Sequence, residues 1–188
     1  MLAEHRVVIC TERLDLAPFA HAHAPEVAPL LNDTRVSGTT SNIPHPYTEA
    51  DARTFADIIE ASAGATHAWL LRRRSDGRLV GGNGLHAFRG DSAELGYWVG
   101  LEFWGRGYAT EALIGLLGHA FGSLGLEKIH ACYYLRNPAS RRVMEKAGFV
   151  QSEADDRAAC VTKNGVSEAV GWMELGRASW HRGVGEPT

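Results

Sequence analysis

Apolar positions along this 188-residue chain alternate between two spacings, one typical of strands and one of helices. Leu14 and Leu16 alternate with polar neighbours in LDLAPF (14–19), which predicts a first strand. A helix is expected over 25–32. The segment 34–47, TRVSGTTSNIPHPY, carries one glycine and two prolines without periodicity and predicts a long loop, a feature that is often functional. TEAD (48–51) opens a helix to Ala61, with Thr48 as cap and Asp51 three residues on, a relative of the capping box. Residues 67–74 and 78–86 predict strands joined by Ser-Asp-Gly, a short-range hairpin signal, and a further strand is expected over 93–101.

The longest periodic run has apolar residues at 109, 112, 113, 116, 117, 120, 121 and 124, the spacing of an amphipathic helix, and stops at Gly125. Gly115, Gly118 and Gly122 lie inside it. Each costs about 0.5–1 kcal/mol relative to alanine, so this helix is expected to pack tightly on a neighbour. A strand over 130–135 follows. In NPASRRVMEKAGF, Asn137 is placed to cap a helix, Pro138 to occupy its first position and Gly148 to end it. VGWMEL (170–175) predicts a last strand. With no internal repeat or low-complexity linker, the pattern describes one α/β domain, a mixed sheet with helices packed on it.

Composition narrows the function. A formal net charge of −3, with basic runs no longer than Arg72-Arg73-Arg74, argues against nucleic acid as a partner. No uncharged stretch is long enough for a membrane span. The start, MLAEHRVVICTERLDL, interrupts its apolar runs with charges, unlike a signal peptide. Cys10, Cys132 and Cys160 are odd in number and scattered, which implies reduced thiols in a cytoplasmic compartment. No metal site is expected: CxxC and HExxH are absent, and His21 and His23 have no evident carboxylate or thiolate partner.

The candidate chemistry begins at WGRGYATEA (104–112), where a strand-like run meets a long helix through Gly105 and Gly107. The first N–H groups of a helix lack intrahelical partners and sit at the positive end of its dipole, so such a turn favours an anion. Arg106 can add charge-assisted hydrogen bonds. A plain connection that needs glycine for positive φ has equal standing on spacing alone. Gly100 and Gly105 have Walker-A spacing, but Arg106-Gly107 stands where Lys and Ser/Thr are required. Gly105-x-Gly107-x-x-Thr110 resembles a dinucleotide fingerprint without its third glycine, with Glu127 about where a ribose-binding acid would stand, but a lone imperfect GxGxxG is a weak signal and Tyr108 would crowd the turn.

Taken together, ELGYWV (94–99), WGRGYATEA, the Asn-Pro-Ala-Ser start at 137–140 and EKAGF (145–149) resemble the GCN5-related N-acetyltransferase (GNAT) superfamily, in particular its RimJ/RimL-like branch. TERLDL (11–16) and GWMELGRASW (171–180) extend the resemblance over nearly the whole chain. It implies one N-acetyltransferase domain over 1–188, with a mostly antiparallel twisted sheet, a splayed central strand and flanking helices. It also implies acetyl-CoA as co-substrate, an amine acceptor and a possible homodimer.

The resemblance assigns roles by position. Backbone at Val99 and Leu101 matches the pantetheine-binding strand, and the N–H groups of Arg106, Gly107, Tyr108, Ala109 and Thr110 match the pyrophosphate loop. Trp104 opens that loop where the wider family has Gln or Arg. Asn137 and Ser140 match positions at the sulfur end of the coenzyme, although Asn137 can equally be only a helix cap. Met144 stands where many relatives carry a proton-donating tyrosine, so Ser140 becomes the candidate general acid. Glu94 matches a carboxylate that takes a proton from the amine, with His86 as a second candidate. Strand alternation puts Glu94, Gly96 and Trp98 on one face and Leu95, Tyr97 and Val99 on the other. Trp69, Trp98 and the 37–47 loop are candidate walls of the acceptor pocket, and core packing is the alternative for either tryptophan. The resemblance implies an N-terminal α-amine or a small-molecule amine as acceptor. A coenzyme-sensing module without catalysis is the alternative function.

Overall fold

A computed structural model describes residues 7–152 and 159–183 of the chain, with side chains through Trp180. The first six residues, read above for a leader, lie outside them. Nine strands form the sheet: β1 (Ile9–Cys10), β2 (Leu14–Pro18), β3 (His67–Arg73), β4 (Leu79–Arg89), β5 (Ser92–Val99), β6 (Lys128–Tyr134), β7 (Val150–Gln151), β8 (Cys160–Lys163) and β9 (Val166–Gly176). Their order is β1-β2-β3-β4-β5-β6-β9-β7, with β8 pairing β9 off that path. Every neighbouring pair is antiparallel except β5 and β6.

A parallel pair needs a crossover. Here the helix α4 (Tyr108–Gly122) supplies it, packing on one face with α5 (Pro138–Lys146). The other helices are α1 (Ala24–Leu31), α2 (Thr34–Ser37), α3 (Glu49–Ala61) and α6 (Arg177–Gly183). Two clusters of buried side chains result. One holds Leu16, Leu71, Leu95, Leu113, Leu117, Ile129 and Met173. The other joins Val27 and Leu31 of α1 to Val36, Tyr47, Ala52 and Leu70. No helix among the described residues is long and apolar enough to cross a membrane.

The pairing of β5 with β6 ends early. Only Ser92, Ala93 and Glu94 find partners, at Lys128, Ile129 and His130. Beyond Glu94, β5 stays on β4 as far as Val99 while β6 stays on β9 as far as Tyr134. The sheet therefore opens as a wedge between Leu95 and Val99, which is the splayed central strand.

Several local expectations change. Residues 34–47 are not all loop, because Asp33 accepts from the Arg35 N–H at 2.9 Å and caps the single-turn α2. The strand expected to reach Leu101 ends at Val99. Gly100 N–H donates to the Val80 carbonyl, and Phe103 and Trp104 then donate back to Gly100 and Leu101, turning Leu101–Phe103 into a 3-10 turn. Helix α4 starts at Tyr108 and ends at Gly122, and Gly125 (φ +67°) lies in the turn beyond. Of its three glycines, only Gly115 packs tightly. A Cβ there would lie 2.7 Å from the Thr11 methyl, whereas one at Gly118 or Gly122 would meet nothing within 4 Å. The Thr48–Asp51 capping box is complete in both directions.

Candidate active site

The wedge leads into a cavity of about 530 Å³ whose lining comes from both faces of the sheet. On the α1–α3 side stand Phe19, Ile43, Tyr47, Phe55, Trp98 and Glu94, and on the α5 side Tyr97, Tyr133, Ser140 and Met144. The opening between β5 and β6 is thus a passage between two half-sites. Alternation along β5 delivers Glu94 and Tyr97 to opposite halves, as the sequence pattern predicts.

On the α5 side, Asn137 is the N-cap: its side chain accepts from the Ser140 N–H at 3.3 Å, and Pro138 follows at the first helical position. Asn137 itself does not line the cavity. This cap turns Ser140 toward β5, where its Oγ lies 2.8 Å from the Tyr97 hydroxyl. The same phenol reaches the Ser140 carbonyl at 3.1 Å. Burial pushes the Tyr97 phenol up to about 12, and the hydrogen bond to Ser140 offsets that only partly. Tyr97 therefore stays protonated at neutral pH and has a proton to donate. Sequence reasoning missed this residue, since its partner is 43 positions away. Met144 is buried beside the pair.

On the opposite side, Glu94 is half-buried, and its Oε1 takes a long contact of 3.9 Å from the Cys132 thiol. His86 lines the same half, with Nδ1 3.0 Å from the Glu94 carbonyl oxygen. Trp98 reaches the cavity over Gly82, where a Cβ would lie 2.7 Å from the indole nitrogen. Trp69 also touches the cavity but is a core residue, buried and donating from Nε1 to the Val7 carbonyl at 2.9 Å. Residues Thr39 to Pro44 form one wall. They are held from across the chain by Lys163, which donates to the Ser37 and Thr40 carbonyls at 2.6 and 2.9 Å. Arg136 adds a 2.8 Å bond to the Gly38 carbonyl. Burial lowers the Lys163 ammonium below its ordinary range, with Arg136 nearby adding to the effect.

The glycine turn lies outside the cavity lining. Gly105 (φ +73°) and Gly107 (φ +82°) both take the left-handed conformation, and Gly107 is the N-cap of α4. Glu111 makes the first helical bond, to the Gly107 carbonyl at 3.1 Å, so the N–H groups of Tyr108, Ala109 and Thr110 precede the ladder. Arg106 is exposed on this turn. The Arg13 guanidinium donates to the Arg106 carbonyl at 3.1 Å and lies over the Tyr108 ring at 4.8 Å. Burial opposes the charge on Glu111, but the Thr11 hydroxyl (2.6 Å), the Arg13 N–H (2.7 Å) and the Arg13 guanidinium (2.6 Å) outweigh it and hold the carboxyl below its ordinary value. Trp104 donates its indole N–H to the Val99 carbonyl at 2.7 Å, tying the turn to the end of β5.

Glu127, a ribose-binding candidate on spacing, pairs with Arg177 at 2.9 Å. His21 does have carboxylate neighbours, Asp57 at 3.2 Å and Glu60 at 3.8 Å, supplied by α3. Among the described residues no group of three or more His, Cys, Asp or Glu is placed to hold a metal.

Comparison with known proteins places this geometry among relatives. The family described as "Acetyltransferase (GNAT) domain" matches residues 13–150. The uncharacterized N-acetyltransferase YoaA of Bacillus subtilis is 34% identical over 99 residues, which span 52% of this chain and 55% of that protein. The chain thus spans little more than half the length of that relative. The FsC-acetyl coenzyme A-N(2)-transacetylase of Aspergillus fumigatus is 28% identical over 184 residues, 92% of this chain and 77% of that protein. In fold, the spermidine N-acetyltransferase of Vibrio cholerae in complex with CoA and spermine superposes with a TM-score of 0.76 at 19% identity, covering 89% of this chain and 98% of that one.

Proposed function

The chain belongs to the GNAT acetyltransferase family, and from that membership we propose that it is a cytoplasmic N-acetyltransferase, moving an acetyl group from acetyl-CoA directly to a primary amine. The observation that carries the reading is the wedge between β5 and β6, which joins the Ser140–Tyr97 pair to Glu94 through one cavity.

Acetyl-CoA fits the residues present. The N–H groups of Arg106 to Thr110 and the Arg106 side chain would hold its pyrophosphate at the N-terminus of α4. The edge of β5 that β6 leaves unpaired beyond Glu94 would take the pantetheine, with the Val99 carbonyl already accepting from the Trp104 indole, and Asn137 would act through the position it gives Ser140. The coenzyme supplies an activated acyl group and a fair leaving thiolate, so no nucleophilic cysteine is required.

Glu94 takes a proton from the ammonium of the acceptor, freeing the nitrogen lone pair. The nitrogen attacks the thioester carbonyl carbon, a C–N bond forms and the C–S bond breaks. Ser140 Oγ–H, supported by the Tyr97 phenol, gives a hydrogen bond and then a proton to the departing sulfur, and the second amine proton leaves to solvent. Glu94 then gives its proton to solvent and Ser140 regains one from solvent, so the sum is an amide, free CoA and one released proton. The resemblance to the RimJ/RimL-like branch favours a protein N-terminal α-amine as acceptor, with a small amine as the other class.

Titration calorimetry tests the reading: acetyl-CoA binds and NAD does not, and Gly107→Val abolishes the acetyl-CoA signal. Absence of binding by acetyl-CoA would sink it. A sensor module without catalysis predicts binding with no thiol release across peptides, polyamines and aminoglycosides.

A further inference from the structure

Resting on acetyl transfer in this same cavity, we infer that the acceptor is a primary amine whose nitrogen is its single cationic centre and which carries an apolar body, and that polyamines are poor acceptors. The charge content of the lining points there. Among the described residues no Lys or Arg lines the cavity, and the lining carboxylates are Asp51 and Glu94. Asp51 is already engaged, its Oδ2 accepting from the Thr48 N–H and hydroxyl at 2.8 and 2.6 Å in the cap of α3. Of the histidines, His67 is buried against the Gly64 carbonyl at 2.9 Å, and His86 is tied to the Glu94 carbonyl. Among the described residues no ion pair involves Glu94, and unlike Asp51 it is not tied into a helix cap, so it is the lining carboxylate best placed to meet an ammonium.

A second ammonium on the same acceptor would be desolvated without a counter-charge, which is unfavourable. Apart from neutral polar residues at 39–42 and Thr54, which bring no charge, the acceptor half presents the apolar and aromatic side chains of Phe19, Ile43, Pro44, Phe55, Ile58 and Trp98. Phe55 and Ile58, one helical turn apart on α3, remain 36% and 52% exposed, with Phe55 edge-on to Phe19 at 5.4 Å. Exposed apolar surface at a cavity wall is what an apolar ligand covers. The chemistry is shared by a small aralkylamine and by a peptide whose N-terminal residue is apolar.

The experiment compares kcat/KM, at saturating acetyl-CoA, for phenethylamine, a tripeptide amide beginning with phenylalanine, ethanolamine and spermidine. At least one of the first two is expected to exceed both ethanolamine and spermidine by about tenfold or more, and whichever does so identifies the source. Parity, preference for spermidine, or silence of both apolar acceptors overturns the inference. Loss of acetyl-CoA binding in calorimetry is the separate signature that the underlying reading has failed. Ile58→Asp, at an exposed helix position, is expected to raise KM for the preferred apolar acceptor about fivefold while KM for acetyl-CoA holds. An unmoved acceptor KM likewise counts against it.

Discussion

The Tyr97 hydroxyl stands 2.8 Å from Ser140 Oγ and 3.1 Å from the Ser140 carbonyl, so one phenolic proton has two acceptors on the same residue. When that proton goes to the carbonyl, the serine hydroxyl can donate to the phenol. When it goes to Oγ, the serine proton is free for a departing thiolate. Ser140→Ala is expected to lower kcat about a hundredfold, and Tyr97→Phe about tenfold, with KM for acetyl-CoA unchanged. Because Tyr97 acts through Ser140, adding Tyr97→Phe to Ser140→Ala should cost nothing further. Additive losses in steady-state kinetics would separate the two residues.

Burial of Tyr97 has a signature in stability as well. Its phenol titrates near 12 when folded, against 10.0 unfolded. The unfolded chain therefore loses this proton first, so the contribution is present below pH 10 and is lost as pH rises toward 12. Its full size is on the order of 2–3 kcal/mol. Tyr47 is pushed up to about 12 by burial and the nearby Asp51, and should act in the same direction. Denaturation midpoints are expected to fall above pH 10, and less steeply in Tyr97→Phe. An equal slope in the variant would contradict this.

The glycines of α4 give a third prediction. Gly118→Ala and Gly122→Ala meet open space and should each stabilise the protein by about 0.5–1 kcal/mol through helix propensity. Gly115→Ala drives a methyl against Thr11 and should destabilise by about 1–3 kcal/mol. Thermal melts of the three variants check the opposite signs.

The wall at 39–44 depends on Lys163. Lys163→Met removes the ammonium that joins the Ser37 and Thr40 carbonyls, although Ser37 keeps the Thr40 N–H and hydroxyl as donors. KM for the amine is expected to rise about tenfold while KM for acetyl-CoA and the melting temperature change little. A change in the coenzyme KM instead would place the defect elsewhere.

Much of this site was legible before folding. Two-residue alternation alone assigned Glu94 and Tyr97 to opposite faces, because the period of a strand leaves no other choice. Asn137 followed by Pro138 announced a capped helix, and Gly107 announced a left-handed turn. What stayed hidden depends on long-range partners. Nothing near Tyr97 points to Ser140, and nothing in 34–47 points to Lys163. The apparent equivalence of three glycines in α4 dissolved only when Thr11 was seen to pack on one of them. Leu101 was misplaced because an apolar residue after a strand fits a strand and a 3-10 turn equally well, and the hydrogen bond from Gly100 to Val80 decided it.

The central claim is acetyl transfer to an amine, and the most direct measurement follows both products at once: thiol released from acetyl-CoA and acetylated amine by mass spectrometry. The account predicts equal amounts of each, dependent on the amine and reduced about a hundredfold in Ser140→Ala. Thiol release without acetylated amine, or no release with any primary amine despite bound acetyl-CoA, would contradict it.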